Sequence, residues 1–194
     1  IAAINNNHTR YTATDGIPAL KQANIRRLKT LYGLEYDAAN ITVGNGAKHV
    51  IFNTLFSTLN PGDDVLVVTP YWVSYPEMVT LCQGSTNFVK TGENLKLTAN
   101  SLSKSLTPKT KWFILNSPSN PTGVIYSKAE LLEFAEVLRD FPRVQILSDD
   151  IYSDLCYDSD FYNLATVAGD LVARSFIVSG VSKGYSMTGW RIGY

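Results

Sequence analysis

Ser175-Phe-Ile-Val-Ser-Gly-Val-Ser-Lys-Gly-Tyr-Ser-Met-Thr-Gly-Trp-Arg191 decides how the rest of the chain is read. Its first part, Ser175 to Ser179, is a short apolar run with a β-branched pair, which predicts a buried strand leading into a tight loop. In that loop Lys183 stands in a collar of small residues, and Arg191 follows eight positions later. A lysine in this setting is expected to be shielded from water. Burial disfavours the ammonium form and lowers the amine pKa, which prepares the amine to attack a carbonyl and form a Schiff base.

Upstream of this stretch, buried strands alternate with helices. Ile41-Thr-Val43, Val65 to Val68, Thr86 to Lys90, Trp112-Phe-Ile-Leu115 and Val144-Gln-Ile-Leu147 read as strands one to five, and Phe176-Ile-Val178 as the sixth. A helix is expected from Asp15-Gly-Ile-Pro18 to Gly33, with Ile17, Leu20, Leu28 and Leu31 as its apolar stripe. Further helices are expected over residues 47–59, 75–81 and 101–106. The capping box Ser127-Lys-Ala-Glu130 opens one more, which Pro142 ends. Strands apolar throughout and separated by helices imply parallel pairing with both faces covered. The predicted class is therefore α/β, a three-layer α/β/α domain around a mostly parallel sheet. In such sheets ligands bind beyond the carboxyl ends of the strands.

Composition narrows the function classes. The 194 residues are 45% hydrophobic and 11% aromatic, enough to bury one full core. Seventeen acidic and seventeen basic residues cancel, so no field points to nucleic acid or to an anionic membrane. The expected partners are small molecules and further copies of the chain. Cys82 and Cys156 lack the spacing of a metal site or a disulfide framework, which makes a reducing, cytoplasmic setting the expectation. No run approaches the roughly 20 apolar residues of a membrane span. The chain begins at Ile1 and stops at Tyr194, where Trp190-Arg-Ile-Gly-Tyr194 is set to become another strand, so it reads as a domain truncated at both ends.

Chemistry-bearing residues follow the strands one after another. After the first strand, Gly44-Asn-Gly-Ala-Lys48 opens a helix whose bare N–H groups either cradle a phosphate or merely form a turn. After the second comes Pro70-Tyr-Trp72, whose indole either stacks on a planar ligand or covers the sheet end. After the fourth, Asn120-Pro-Thr-Gly123 holds an amide in a stiff turn. After the fifth comes Asp149-Asp-Ile-Tyr152. An aspartate buried at a strand end is costly unless it meets a cation or a protonated nitrogen. Strand alternation sends Asp149 and Asp150 to opposite faces, so replacing Asp150 is expected to be mild.

This ordered set, Tyr71-Trp72, Asn120-Pro-Thr-Gly123, Asp149 with Tyr152, and Ser182-Lys183 with Arg191, resembles the pyridoxal-phosphate enzymes of fold type I, specifically class I aminotransferases of the aspartate aminotransferase group. The resemblance covers essentially the whole chain and implies that residues 1–194 are a pyridoxal 5′-phosphate-binding large domain, with the small domain absent. By the same resemblance Lys183 carries the cofactor as a Schiff base and shuttles the substrate proton, and Asp149 pairs with the protonated pyridine nitrogen. Asn120 and Tyr152 bind the phenolic oxygen, and Trp72 stacks on the ring. Gly46, Ala47, Lys48, Ser182 and Arg191 surround the phosphate. Lys48, Trp72 and Asn120 also face the substrate. Tyr11 matches a tyrosine that reaches the phosphate of the neighbouring subunit in a homodimer. The implied reaction is ping-pong transamination between an amino acid and a 2-oxo acid, aspartate and 2-oxoglutarate, with prephenate or an aromatic acid as the alternative and a non-catalytic sensor domain as a different class. No metal is implied. In the family an antiparallel strand lies between the first and sixth strands, and here it is expected to be missing beyond Tyr194.

Overall fold

The computed structural model describes residues 1–194. Five parallel strands form the sheet: β2 (Asp64–Thr69), β3 (Ser85–Lys90), β4 (Thr110–Asn116), β5 (Gln145–Asp149) and β6 (Ser175–Val178), in the spatial order β3-β2-β4-β5-β6. Between them run α4 (Ser74–Leu81), α5 (Ala99–Ser105), α6 (Lys128–Arg139) and α7 (Leu164–Val167). The chain reaches the sheet through α1 (Ala2–Asn5), α2 (Pro18–Tyr32), β1 (Gly44–Asn45) and α3 (Ala47–Thr58), and it closes with β7 (Ile192–Gly193).

Alternation along the strands explains the three layers. Val65, Val67, Trp112, Ile114 and Leu147 point to one face and pack against Ile51 and Leu55 of α3 and Tyr75, Met78 and Val79 of α4. Leu66, Phe113, Leu115 and Ile146 point to the other and meet Leu102, Leu131, Phe134, Leu138 and Leu164. Ile51 and Leu55 are completely buried, each contributing roughly 1.5–3 kcal/mol of transfer free energy. The same alternation continues to the end of β5. Asp149 follows Leu147 onto the α3–α4 face, while Ser148 and Asp150 turn to the α7 face. Register then aligns the strand ends, with Asn116 opposite Asp149 and Asp149 opposite Val178.

The structure corrects four sequence expectations. Ile41 to Val43 is not a strand: the Val43 N–H donates to the Asp15 carbonyl at 2.8 Å, and pairing starts only at Gly44–Asn45, antiparallel to β7. The apolar stripe assigned to α2 is half wrong. Ile17 and Leu31 are 44% and 46% exposed, and the buried face is Lys21, Asn24 and Leu28, with the Lys21 amine paired to Asp15. Helix α6 stops at Arg139, three residues before Pro142, where Arg174 binds the carbonyls of Leu138, Phe141 and Val144.

The fourth correction concerns the gap between the first and sixth strands. Its upper end is filled by the chain itself. Gly193 lies opposite Gly44 on one side and Gly180 on the other, and Tyr194 exchanges two backbone hydrogen bonds of 2.9 Å with Ser179. Below Tyr194 an open groove of about 680 Å³ separates β6 from α2 and α3. No helix is long and apolar enough to cross a membrane.

Candidate active site

The carboxyl ends of β4, β5 and β6 and the amino end of α3 enclose a cleft of about 320 Å³. Asp149 forms its floor. The side chain is 3% exposed and accepts a hydrogen bond of 2.6 Å from the Tyr75 hydroxyl and one of 3.3 Å from the Ile151 N–H. Burial raises the carboxyl pKa to about 6, against the lowering pull of the Tyr75 and Ile151 donors. A basic nitrogen entering the cleft would therefore meet an acid ready to form an ion pair. Asp150 has its own enclosure behind the sheet: it is 1% exposed and accepts from Ser148 Oγ at 2.7 Å and Asn163 Nδ2 at 2.6 Å. Those bonds give the Asp150 carboxyl a structural role that the sequence reading did not foresee, because removing it orphans buried donors.

Asn116, at the end of β4, ties two strand ends together. Its Nδ2 donates to the Asp149 carbonyl at 2.8 Å, and its Oδ1 accepts from the Asn120 N–H at 2.8 Å. Asn120 is thereby held over the cleft, its Nδ2 3.5 Å from the Tyr152 hydroxyl. Lys183 Nζ lies 5.7 Å from the centroid of the Tyr152 ring. Contrary to expectation Lys183 is exposed, although its neighbour Ser182 is 8% exposed. The loop carrying it follows the carboxyl end of β6, and no element of residues 1–194 packs over the amine.

Opposite Lys183 stands an anion cradle. Gly46 precedes α3 with φ 87°, a conformation open to glycine, and a Cβ there would collide with Arg191 Nη2. Arg191 adopts a left-handed conformation, φ 55°, and its guanidinium donates to the carbonyls of Thr188 at 3.0 Å and Asn45 at 3.3 Å. A non-glycine residue held this way costs about 1–2 kcal/mol, strain of a kind that collects at functional sites. As the first residues of α3, Ala47 and Lys48 carry N–H groups without intrahelical acceptors, at the positive end of the helix. Lys48 Nζ lies 4.9 Å from the Trp72 ring centroid, and that indole packs edge-on against Tyr75 at 5.3 Å.

Lys48, Trp72, Asn120, Asp149, Tyr152, Ser182, Lys183, Arg191 and Ala47 thus line one cleft, with Gly46 buried behind Arg191. Tyr11 is fully exposed and lies outside it. Sequence reasoning missed Tyr75, Asn116 and Thr188, which also line the cleft. Tyr75 had a signal, since it lies one helical turn after Trp72. Three cations around a single buried acid suit an anionic ligand that carries both a carbonyl for Lys183 and a basic ring nitrogen for Asp149.

Comparison with known proteins agrees with this donor set. The profile of the family "Aminotransferase class I and II" matches residues 2–194. The chain is 51% identical to a probable aspartate/prephenate aminotransferase of Rickettsia bellii, over 100% of this chain and 49% of that protein. It is 50% identical to an aspartate/prephenate aminotransferase of Cereibacter sphaeroides, over 99% of this chain and 49% of that one. Among solved structures, the aspartate aminotransferase from Rhizobium meliloti superposes with a TM-score of 0.96 at 43% identity, covering 99% of this chain and 49% of that one. The chain belongs to the class I and II aminotransferase family, whose enzymes depend on pyridoxal 5′-phosphate. It spans about half the length of the curated relatives it matches.

Proposed function

We propose that residues 1–194 form the cofactor-binding large domain of an enzyme that moves an amino group between aspartate and 2-oxoglutarate, a second and smaller domain lying outside them. The observation that carries this reading is the convergence of the Lys183 amine, the buried Asp149 carboxyl and the Gly46–Arg191 cradle on one cleft. These residues fit pyridoxal 5′-phosphate: a primary amine for its aldehyde, an acid for its pyridine nitrogen, and a guanidinium with free helix N–H groups for its phosphate.

When bound, that cofactor supplies an electron sink for the carbanion formed at substrate Cα. The protein does the rest. Asp149 keeps a proton on the ring nitrogen. Lys183 would hold the cofactor through its amine and, as a free amine, would carry the proton to and from substrate Cα. Asn120 and Tyr152 would hydrogen-bond the phenolic oxygen, and Trp72 would cover the ring. Arg191, Ser182, Ala47 and Lys48 bind the phosphate, and Lys48 also reaches the distal carboxylate of an acidic substrate. Tyr11 contributes to a neighbouring subunit of a homodimer, and the setting is cytoplasmic. Prephenate as an alternative amino acceptor is favoured by the names of the Rickettsia and Cereibacter relatives.

Borohydride reduction of the cofactor-loaded full-length protein, followed by peptide mapping, tests the assignment. The pyridoxyl label is expected on Lys183, and Lys183→Ala is expected to abolish transamination of aspartate. A label on another lysine would overturn the reading.

A further inference from the structure

Arg27 stands on α2, an element that supplies no residue to the cleft, yet its guanidinium binds the segments that do. Nη2 donates to both carboxylate oxygens of Asp154 at 2.7 and 2.6 Å, Nη1 to the Tyr185 hydroxyl at 2.8 Å and Nε to the Tyr194 hydroxyl at 3.1 Å. The guanidinium carbon also lies 5.4 Å from the Tyr185 ring centroid. Each partner is a near neighbour in sequence of a cleft residue: Asp154 follows Tyr152 by two positions, Tyr185 follows Lys183 by two, and Tyr194 follows Arg191 by three.

The joint is partly shielded, with side-chain exposures of 22% for Arg27 and 29% for Asp154. Burial is the largest single influence and works against the charge on Arg27, but the hydrogen bonds and charges of Asp154 and Tyr194 together outweigh it, leaving the guanidinium pKa raised. Gly184 completes the joint, since a Cβ there would collide with the Asp154 carboxylate. The Lys183 loop therefore lies directly against Asp154. Within that loop the backbone bonds are local, from Ser186 N–H to the Lys183 carbonyl and from Met187 N–H to the Val181 carbonyl. An exposed lysine on such a loop takes its position from whatever ties the loop to the body of the domain.

We propose that Arg27 is a positioning residue for the cleft, a fork that fixes the Tyr152 and Lys183 segments relative to each other through Asp154 and Tyr185. The inference rests on the reading of Lys183 as the cofactor lysine. Arginine suits the task because its planar group reaches a carboxylate and a phenol at once, which a lysine cannot reproduce.

The test uses the full-length protein, comparing wild type, R27M, R27K, D154N, the double variant R27M/D154N, and R26M, whose exposed side chain is on the same helix. Hydrogen exchange of residues 182–187, the dissociation constant for pyridoxal phosphate, kcat and KM, and the melting temperature are read for each. R27M is expected to speed exchange in 182–187, weaken cofactor binding about 10-fold and lower kcat about 10- to 100-fold, the scale of a small misplacement of a reacting group. R27K is expected to recover little, R26M to match wild type, and the double variant to be no worse than R27M. Wild-type exchange and cofactor affinity in R27M, or effects of R27M and D154N that simply add, would overturn the inference. Should R27M not fold, Y185F decides: faster exchange in 182–187 at an unchanged melting temperature supports the inference, and unchanged exchange overturns it. Absence of a borohydride label on wild-type Lys183 would remove the underlying reading, an outcome distinct from a labelled wild type that R27M leaves unaltered.

Discussion

The Tyr75 hydroxyl donates a 2.6 Å hydrogen bond to Asp149 Oδ2 with both side chains removed from solvent, 2% and 3% exposed. Burial alone would favour the neutral carboxylic acid, and the phenol pulls the other way by stabilising the carboxylate. Tyr75→Phe keeps the ring against Trp72 and removes only the donor. A hydrogen bond to a charged group is worth about 1.5–3 kcal/mol, so pyridoxal phosphate binding is expected to weaken about 10- to 100-fold, most where Asp149 must be ionised. Cofactor titrations of Tyr75→Phe across pH 5 to 8 check this. Equal affinity of variant and wild type throughout would show that Tyr75 does not tune Asp149.

Asp149 and Asp150 are adjacent yet face opposite layers, and their replacement is expected to fail differently. Asp149→Ala should lose transamination by orders of magnitude while the fold survives. Asp150→Ala should instead destabilise the domain, since Ser148 and Asn163 lose their acceptor. Burial raises the Asp150 pKa to about 7 and that of Asp149 to about 6. Both folded values lie above the ordinary 3.8, so the native state binds more protons than the unfolded chain between about pH 4 and 7. Stability of the cofactor-free protein should therefore fall as pH rises through that window, by on the order of a few kcal/mol. Asp150→Asn should flatten the slope. Melting temperatures of wild type and Asp150→Asn against pH decide the matter, and parallel curves would count against it.

Lys48 is expected to set donor preference. Removing one partner of a desolvated charge pair costs about 2–5 kcal/mol, so Lys48→Ala should depress kcat/KM for aspartate and glutamate far more than for an uncharged amino donor. Equal losses for both kinds of donor would leave Lys48 with the phosphate alone.

A side chain at Gly46 is strained by the φ of 87°, and its Cβ would take the space that the Arg191 guanidinium occupies, so that Arg191 would have to move. Gly46→Ala should therefore displace Arg191 and abolish high-affinity cofactor binding while leaving most of the fold intact. Far-ultraviolet circular dichroism together with a cofactor titration separates the two effects; tight binding by Gly46→Ala would refute the cradle.

The sheet was legible because its strands are apolar on both faces, a pattern that Val65 to Val68 and Trp112 to Leu115 carry without ambiguity. Five of the six expected strands formed within two residues of their expected limits. The first did not, since a two-residue pairing such as Gly44–Asn45 with Ile192–Gly193 leaves no periodic signal. Helix α7 escaped for the same reason: four residues capped by Asn163 span barely one turn. In the cleft, residues next to glycine or proline were visible from spacing. Asn116 and Arg27 were not, because each acts through a partner 33 to 167 positions away, and Tyr75 was passed over although its place beside Pro76 and one helical turn after Trp72 marked it. The exposure of Lys183 was misjudged because burial of a strand says nothing about the loop beyond its end.

The Arg191 guanidinium meets the Asn45 carbonyl across 146 positions of sequence, and Arg27 meets Tyr194 across 167. Closing such long loops carries an entropic cost before any contact returns it, so these joints belong to the late part of folding. The cradle thus acts as a clock for the polypeptide: no nascent chain that stops short of Arg191 can offer a finished anion site, whatever its sheet has achieved. During refolding, burial of Trp112, which is fully enclosed in the sheet, is expected to precede acquisition of the cofactor's visible absorbance. Simultaneous appearance of the two signals would mean that the segments around Asn45 and Arg191 meet as early as the central strands do.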